Sequence, residues 1–123
     1  MATYTQDYLA LPDSTEAAVI HARAVASKHQ PDRVDDIETV VRALFTDALA
    51  RTSPGGNINL ITIVEPGVIR FEIHDSNTPL PGIVVNRDVQ RLVSEKADRY
   101  GSSGTRAGHM AWAELRTWQA VAS

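Results

Sequence analysis

Apolar residues recur along this chain with two different periods, and the switches between them divide it into helices and strands. Tyr4 to Leu11 is short, partly apolar and runs into Pro12, which predicts an edge strand. Asp13 and Glu16 have the spacing of a capping box, so a helix is expected to begin near Asp13. Its apolar face would carry Ala17, Ile20 and Ala24 with Val25 beside them, side chains small enough to let it approach a sheet closely. The pattern fades after His29, and Pro31 marks the break. A second helix is the clearest element: Val34, Ile37, Val41, Leu44 and Ala48 keep the helical period, and Val40 and Phe45 widen the stripe. Asp35, Asp36 and Glu38 fall in its early turns, where the helix dipole favours negative charge. It should stop before Ser53-Pro54-Gly55-Gly56, a turn signal.

Two strands follow, Asn57 to Glu65 and Val68 to Asp75, joined by Pro66-Gly67 as an antiparallel hairpin. Ile69, Phe71 and Ile73 alternate with Arg70, Glu72 and His74, so one face of the second strand should be wetter. Asn77 to Gly82 is expected to be a loop. Val89, Leu92 and Val93 fit a third helix from about Arg87 to Arg99. Gly101 to Gly108 reads as a flexible glycine- and serine-rich connection, and Met110 to Trp118 as the last core strand. The order predicts an α+β two-layer sandwich: a mixed, mostly antiparallel sheet covered on one face by about three helices.

Composition narrows the class. With 123 residues and 43% hydrophobic side chains, residues 1–123 are expected to form a single domain with a real core. Twelve basic against fifteen acidic residues leave a formal charge of -3, which implies no strong nucleic-acid or membrane field. The lack of cysteine excludes a disulfide scaffold, a thiolate zinc site and thiol catalysis. No apolar run is long enough to cross a bilayer, and MATYTQDYLALPDS lacks a basic region followed by a long apolar stretch. A cytoplasmic location is the expectation.

Three segments carry a resemblance: Val40-Val41-Arg42-Ala43-Leu44-Phe45-Thr46-Asp47-Ala48-Leu49, Val68 to Asp75, and Gly108-His109-Met110-Ala111-Trp112-Ala113-Glu114-Leu115. In order and spacing the chain, from about Leu9 to Arg116, resembles the ATP-binding domain shared by histidine kinases, DNA gyrase B, the Hsp90 chaperone and MutL. Within that superfamily it is most similar to short anti-sigma-factor-like regulatory proteins of actinomycetes. The resemblance implies a helix motif Glu-Leu-Val-Thr-Asn-Ala, whose glutamate activates water or a substrate hydroxyl and whose asparagine helps hold Mg²⁺. Here those positions are Ala43, which has no proton acceptor, and Asp47, which leaves a candidate metal ligand.

The resemblance also implies that Asp75 stands where an aspartate accepts a hydrogen bond from the adenine amine. Ser76-Asn77-Thr78-Pro79 after it lacks the usual glycines. The phosphate segment, Ile83-Val84-Val85-Asn86-Arg87-Asp88-Val89, has no glycine to bring backbone amides to a phosphate. Met110 stands where relatives offer a threonine hydroxyl. Asp47, Asp75 and Met110 are thus the residual nucleotide-pocket positions, conventional ATPase or kinase chemistry is not expected, and residual ATP, ADP or Mg²⁺ binding stays open.

Among the histidines, His21, His29, His74 and His109 form no metal-ligand motif, and surface or packing roles are the default. His74 beside Asp75 is the exception that would serve a repurposed enzyme, with Asp47 and His109 as further polar lining, although strand neighbours point to opposite faces. Arg87, Arg91, Lys96 and Arg99, interrupted by Asp88, Glu95 and Asp98, read as an ion-paired exposed face. Trp112 is expected to pack, and Trp118 to cover a sheet edge or a subunit contact. Two functions stay open. One is a non-hydrolysing regulatory or scaffolding protein that binds a sigma factor, an antagonist, another regulator or itself. The other is a small enzyme or metabolite-binding protein that reuses the pocket, in specialised metabolism for example.

Overall fold

The computed structural model describes residues 2–53, 55–75, 86–105 and 108–117. Its elements are β1 (Ala2–Leu9), α1 (Pro12–His29), a short 3-10 helix (Pro31–Arg33), α2 (Val34–Arg51), β2 (Asn57–Glu65), β3 (Val68–Asp75), α3 (Arg87–Lys96), β4 (Arg99–Thr105) and β5 (Gly108–Arg116). The sheet order is β1-β2-β3-β5-β4, and each of these pairings is antiparallel. Alternation sets which side chains meet the helices. Ile58, Leu60 and Val64 of β2, Ile69, Phe71 and Ile73 of β3, and Ala111, Ala113 and Leu115 of β5 are buried with the helical residues in one core. From above, α2 contributes Ile37, Val40, Val41, Leu44, Phe45 and Ala48, the stripe predicted from its period. The α+β sandwich expected from the element order is present.

β1 is an edge strand as predicted, two residues earlier in the chain than its apolar pattern indicates. Pro66 and Gly67 close the β2–β3 hairpin, with Gly67 at φ 77°, a conformation that glycine adopts without a Cβ clash. Four expectations need correction. α1 starts at Pro12 behind an extended Leu11 with no side-chain cap, so Asp13 lies in the first turn and the capping box does not form. Its buried face is Ala18, Val19, Ala22, Val25 and Ala26, while Ile20 is 67% exposed. In so alanine-rich a helix several stripes satisfy the period, and close contact with neighbouring elements selects the one made of small residues. α3 ends at Lys96, and Arg99 opens the next strand.

The fourth correction is the largest. Arg99 to Thr105 is a paired edge strand, where a flexible connection was expected. Glycine and serine have little intrinsic preference for strands, but β5 offers a complete row of backbone partners, and that context decides. Gly101 is needed in its place: a Cβ there would lie 2.8 Å from Trp112 Nε1. The expected loop at Asn77 to Gly82 and the position of Trp118 fall outside the described residues.

Polar side chains from the corner between α1 and α2 grip the far end of β5. Gln30 Nε2 donates to the Leu115 carbonyl at 2.9 Å. Arg33, 3% exposed, donates to the carbonyls of Arg116 at 2.6 Å and Lys96 at 2.7 Å. It also meets Asp36 at 3.1 Å and Asp98 at 3.3 Å. One guanidinium therefore joins the start of α2, the end of α3 and the end of β5. Arg33→Ala should destabilise the protein by about 3 kcal/mol, the low end for breaking a buried ion pair because its partners are partly solvated. Arg33→Lys should recover little of this, since an ammonium lacks the fork that reaches two carbonyls and two carboxylates. Urea unfolding of the two variants tests the clamp, and near-wild-type stability of either would refute it.

Candidate functional site

The two-residue period of the strands carries polar groups onto the helix side at one end of the sheet. In β3 the inward series Ile69, Phe71, Ile73 ends on Asp75, and in β5 the series Leu115, Ala113, Ala111 ends on His109. The β3–β5 register sets Asp75 opposite His109. The last turns of α2 bring Asp47 and Arg51 to the same place, four residues apart on one helical face.

Arg51 organises the cluster. Its Nη1 donates to Asp47 Oδ2, and its Nη2 donates to Asp75 Oδ2 at 3.2 Å. Nη2 also lies 3.0 Å from His109 Nδ1. A guanidinium can only donate, so Nδ1 is assigned as the acceptor and the imidazole proton resides on Nε2. His109 Nδ1 is 3.6 Å from Asp75 Oδ2. The Asp75 side chain is fully buried and Arg51 is 21% exposed. Arg51 Nε has no hydrogen-bond partner among the described residues. Burial, then the Arg51 charge, hold the His109 imidazole below the ordinary histidine range against the opposing pull of Asp75 and Asp47.

Beside the cluster lies a cavity of about 270 Å³ between α2, α3, β4 and β5. Leu44, Val89, Val93 and Ala111 form its apolar wall, and Asp47, Gln90, Tyr100, Ser102 and His109 add polar groups. A second cavity of about 330 Å³ sits at the β2–β3 turn, next to His29 and Gln30, at the opposite end of the strands. A third, about 340 Å³, is a groove between α2 and α3 floored by Ala43 and Thr46. The first of these adjoins the titratable cluster and is the candidate site.

Of the residues singled out in the sequence, Asp47, Asp75 and His109 come together. His74 does not join them: it stands on the opposite face of the sheet, its Nε2 3.0 Å from Glu72 Oε1. Met110 pairs in register with His74 and alternates with His109, so it too belongs to that face, and it does not line the cavity. The Ile83-Val84-Val85 part of the phosphate segment and Ser76 to Pro79 fall outside the described residues. The residue that pattern reading missed is Arg51, for which the available signal was its spacing of four from Asp47. On α3 and β4, Arg91 pairs with Asp88, Lys96 with Asp36 and Arg99 with Glu114. Among the described residues no cluster of three or more histidines and carboxylates could hold a metal ion, and no helix is long and apolar enough to cross a membrane.

No family model and no curated protein matches this sequence. Fourteen chains of solved structures match it (14). One is the crystal structure of the RsbU and RsbW domains of Rv1364c from Mycobacterium tuberculosis, with a TM-score of 0.74 at 11% identity. That match covers 94% of this chain and 32% of the other, so this chain spans about a third of that chain's length. The likeness is one of fold: the sandwich resembles the histidine-kinase type of ATPase domain.

The depressed His109 value has a pH consequence. Its neutral form contributes stability that is present above the ordinary histidine value of about 6.5 and lost as pH falls through the lower folded-state value. Titration by NMR should place the His109 midpoint below the ordinary histidine value of about 6.5. Arg51→Gln, with its fold checked by amide spectra, should raise the midpoint by removing the adjacent cation. An unchanged midpoint would separate Arg51 from the imidazole.

Proposed function

We propose that this chain is a non-hydrolysing regulatory or scaffolding domain that acts through a protein partner, and that its ancestral nucleotide pocket no longer takes Mg²⁺-ATP. The observation that carries this reading is Arg51, which bridges Asp47 and Asp75, the two positions the family resemblance assigns to the metal and to adenine. One donor to Asp75 is then a guanidinium that belongs to the chain itself. Arg51 on Asp47 Oδ2 repels the double charge of Mg²⁺ more strongly than it would a single one, and two carboxylates beside the cavity oppose a triphosphate. Ala43 offers no base for water or a hydroxyl. The resemblance to anti-sigma-factor-like proteins supports a regulatory partner: a sigma factor, an antagonist domain, another regulator or a second copy.

A second reading, a metabolite-binding protein or small enzyme using the same pocket, is favoured by the cavity next to Asp47 and His109. Two measurements test the first reading together. Titration with Mg²⁺-ATP and Mg²⁺-ADP should give no saturable heat and no rise in melting temperature up to millimolar concentration. Purification from the native host should recover a stoichiometric protein complex. Micromolar nucleotide affinity would overturn the loss of the nucleotide site, and repeated recovery of the free chain would overturn the partner.

A further inference from the structure

The strongest unassigned feature is the charge of the cavity wall. Among the described residues five arginines are each shared between two carboxylates: Arg23 between Asp35 and Glu38, Arg42 between Glu16 and Glu38, Arg33 between Asp36 and Asp98, Arg70 between Glu72 and Glu114, and Arg51 between Asp47 and Asp75. In the first four a second cation reaches one of the carboxylates, Arg23 and Arg42 meeting on Glu38. Lys96 Nζ lies 3.8 Å from Asp36, and Arg99 Nη1 lies 3.7 Å from Glu114. Asp47 has no such second cation among the described residues. Its hydrogen bond from Arg51 falls on Oδ2, and the carboxylate lines the cavity, only 12% exposed. His109, on the same cavity, accepts from Arg51 at Nδ1 and so adds no positive charge of its own.

We infer that the cavity is a receptor for a small organic cation whose amidinium or ammonium group pairs with Asp47 and whose flat apolar body lies against Leu44, Val89 and Val93. This rests on the reading that nucleotide does not occupy the pocket, and it names what does. A cation is selected because Arg51 balances only one of the two carboxylates it bridges, and the Asp47 carboxylate is largely removed from water, where a further cation is worth more than at the surface. An anion meets repulsion, and a neutral amide forgoes the charge-assisted bond. The volume of about 270 Å³ lies just under the range of roughly 300–1,000 Å³ that suits drug-sized ligands, which limits the guest to a single ring or a short chain. Gln90 and Ser102, exposed at the rim on α3 and β4, complete the mouth with hydrogen-bonding groups.

Benzamidine, benzamide and benzoate share one ring and differ in charge, which makes them the probes. Titrations followed by amide and imidazole NMR shifts should show benzamidine binding at Val89, Val93 and His109. Benzamide and benzoate should bind at least about tenfold more weakly, the loss expected without a charge-assisted bond. Asp47→Asn, which preserves shape and removes the charge, should abolish the preference. Gln90→Trp, on the exposed side of α3, should block the mouth without touching the core. Equal affinity for benzamidine and benzamide, or undiminished binding in both variants, overturns the assignment, as does silence of all three probes. N-acetyl-arginine amide presents the same chemistry from a peptide backbone; binding of that compound alone would give the site to a partner's side chain and overturn the free cation. Mg²⁺-ATP titrated in parallel keeps the two readings apart. If it binds, the nucleotide reading falls; if neither it nor benzamidine binds, only the cation receptor falls.

Discussion

The register of β5 against β3 is the constraint on which the rest depends. It seats Ala111, Ala113 and Leu115 under the helices beside Ile69, Phe71 and Ile73, and in the same stroke pairs Asp75 with His109. A slip of one residue would turn Trp112 and Glu114 into the core and expel the apolar set. Contacts from outside the sheet help to hold this alignment. Gln30 and Arg33 take the carbonyls of Leu115 and Arg116, and the Thr117 amide donates to the Gly67 carbonyl at 2.9 Å. The strand is thus anchored at the end far from the pocket, and its strict alternation transmits that placement to His109 near the other end of the strand.

Arginine, and not lysine, suits each of the shared positions because a planar fork can address two carboxylates at once. At Arg51 the local geometry is favourable twice over. A cation in the last turn of α2 complements the helix dipole, and an acid four residues before it is the better order for such a pair. Those gains offset part of the cost of removing three charged groups from water, a cost that buried ion pairs seldom recover in full. The arrangement is therefore better explained by what it positions than by stability. It keeps the imidazole of His109 neutral and leaves the Asp47 carboxylate turned to the cavity.

Much of the fold was legible because it follows from period. α2 and the β2–β3 hairpin alternate so regularly that hydrophobicity alone defines them, and Asp75 falls at a strand end for the same reason. What was hidden is what depends on distant partners. β4 has little strand signal of its own, since its centre is Gly101-Ser102-Ser103-Gly104 and its stability lies in the pairing that β5 offers. Gln30 and Arg33 follow a helix end and look like solvent-facing polar residues; burial appears only once β5 passes beneath them. Arg51 closes a helix, where a basic residue needs no further explanation, and its second carboxylate lies 24 positions on. In α1 the period was present but degenerate, and the small residues that could face the close-packed interior overrode the larger Ile20.

The two faces of the sheet divide the chemistry between them. His74 and Asp75 are neighbours in sequence, yet alternation sends the first to a face where Arg70, Glu72 and Glu114 form a cross-strand ladder. There Arg70 lies 4.2 Å over the Trp112 ring, and Arg99 reaches the same ring and Glu114 from β4. Charges on that side answer one another across β3, β5 and β4, which ties the glycine-rich edge strand to its neighbour and leaves a mixed, self-compensated surface. The helix side has no such ladder. Gln30 and Arg33 are buried at its far end and Thr62 in the middle, and at the near end core residues give way to Asp47, Arg51, Asp75 and His109 beside the candidate cavity. A partner that reads the open face meets paired charges spread over three strands. A ligand that reads the pocket meets Asp47, paired on one oxygen with Arg51, between an apolar wall and a few neutral polar groups, and discrimination by charge is stronger in that setting, where water is largely excluded.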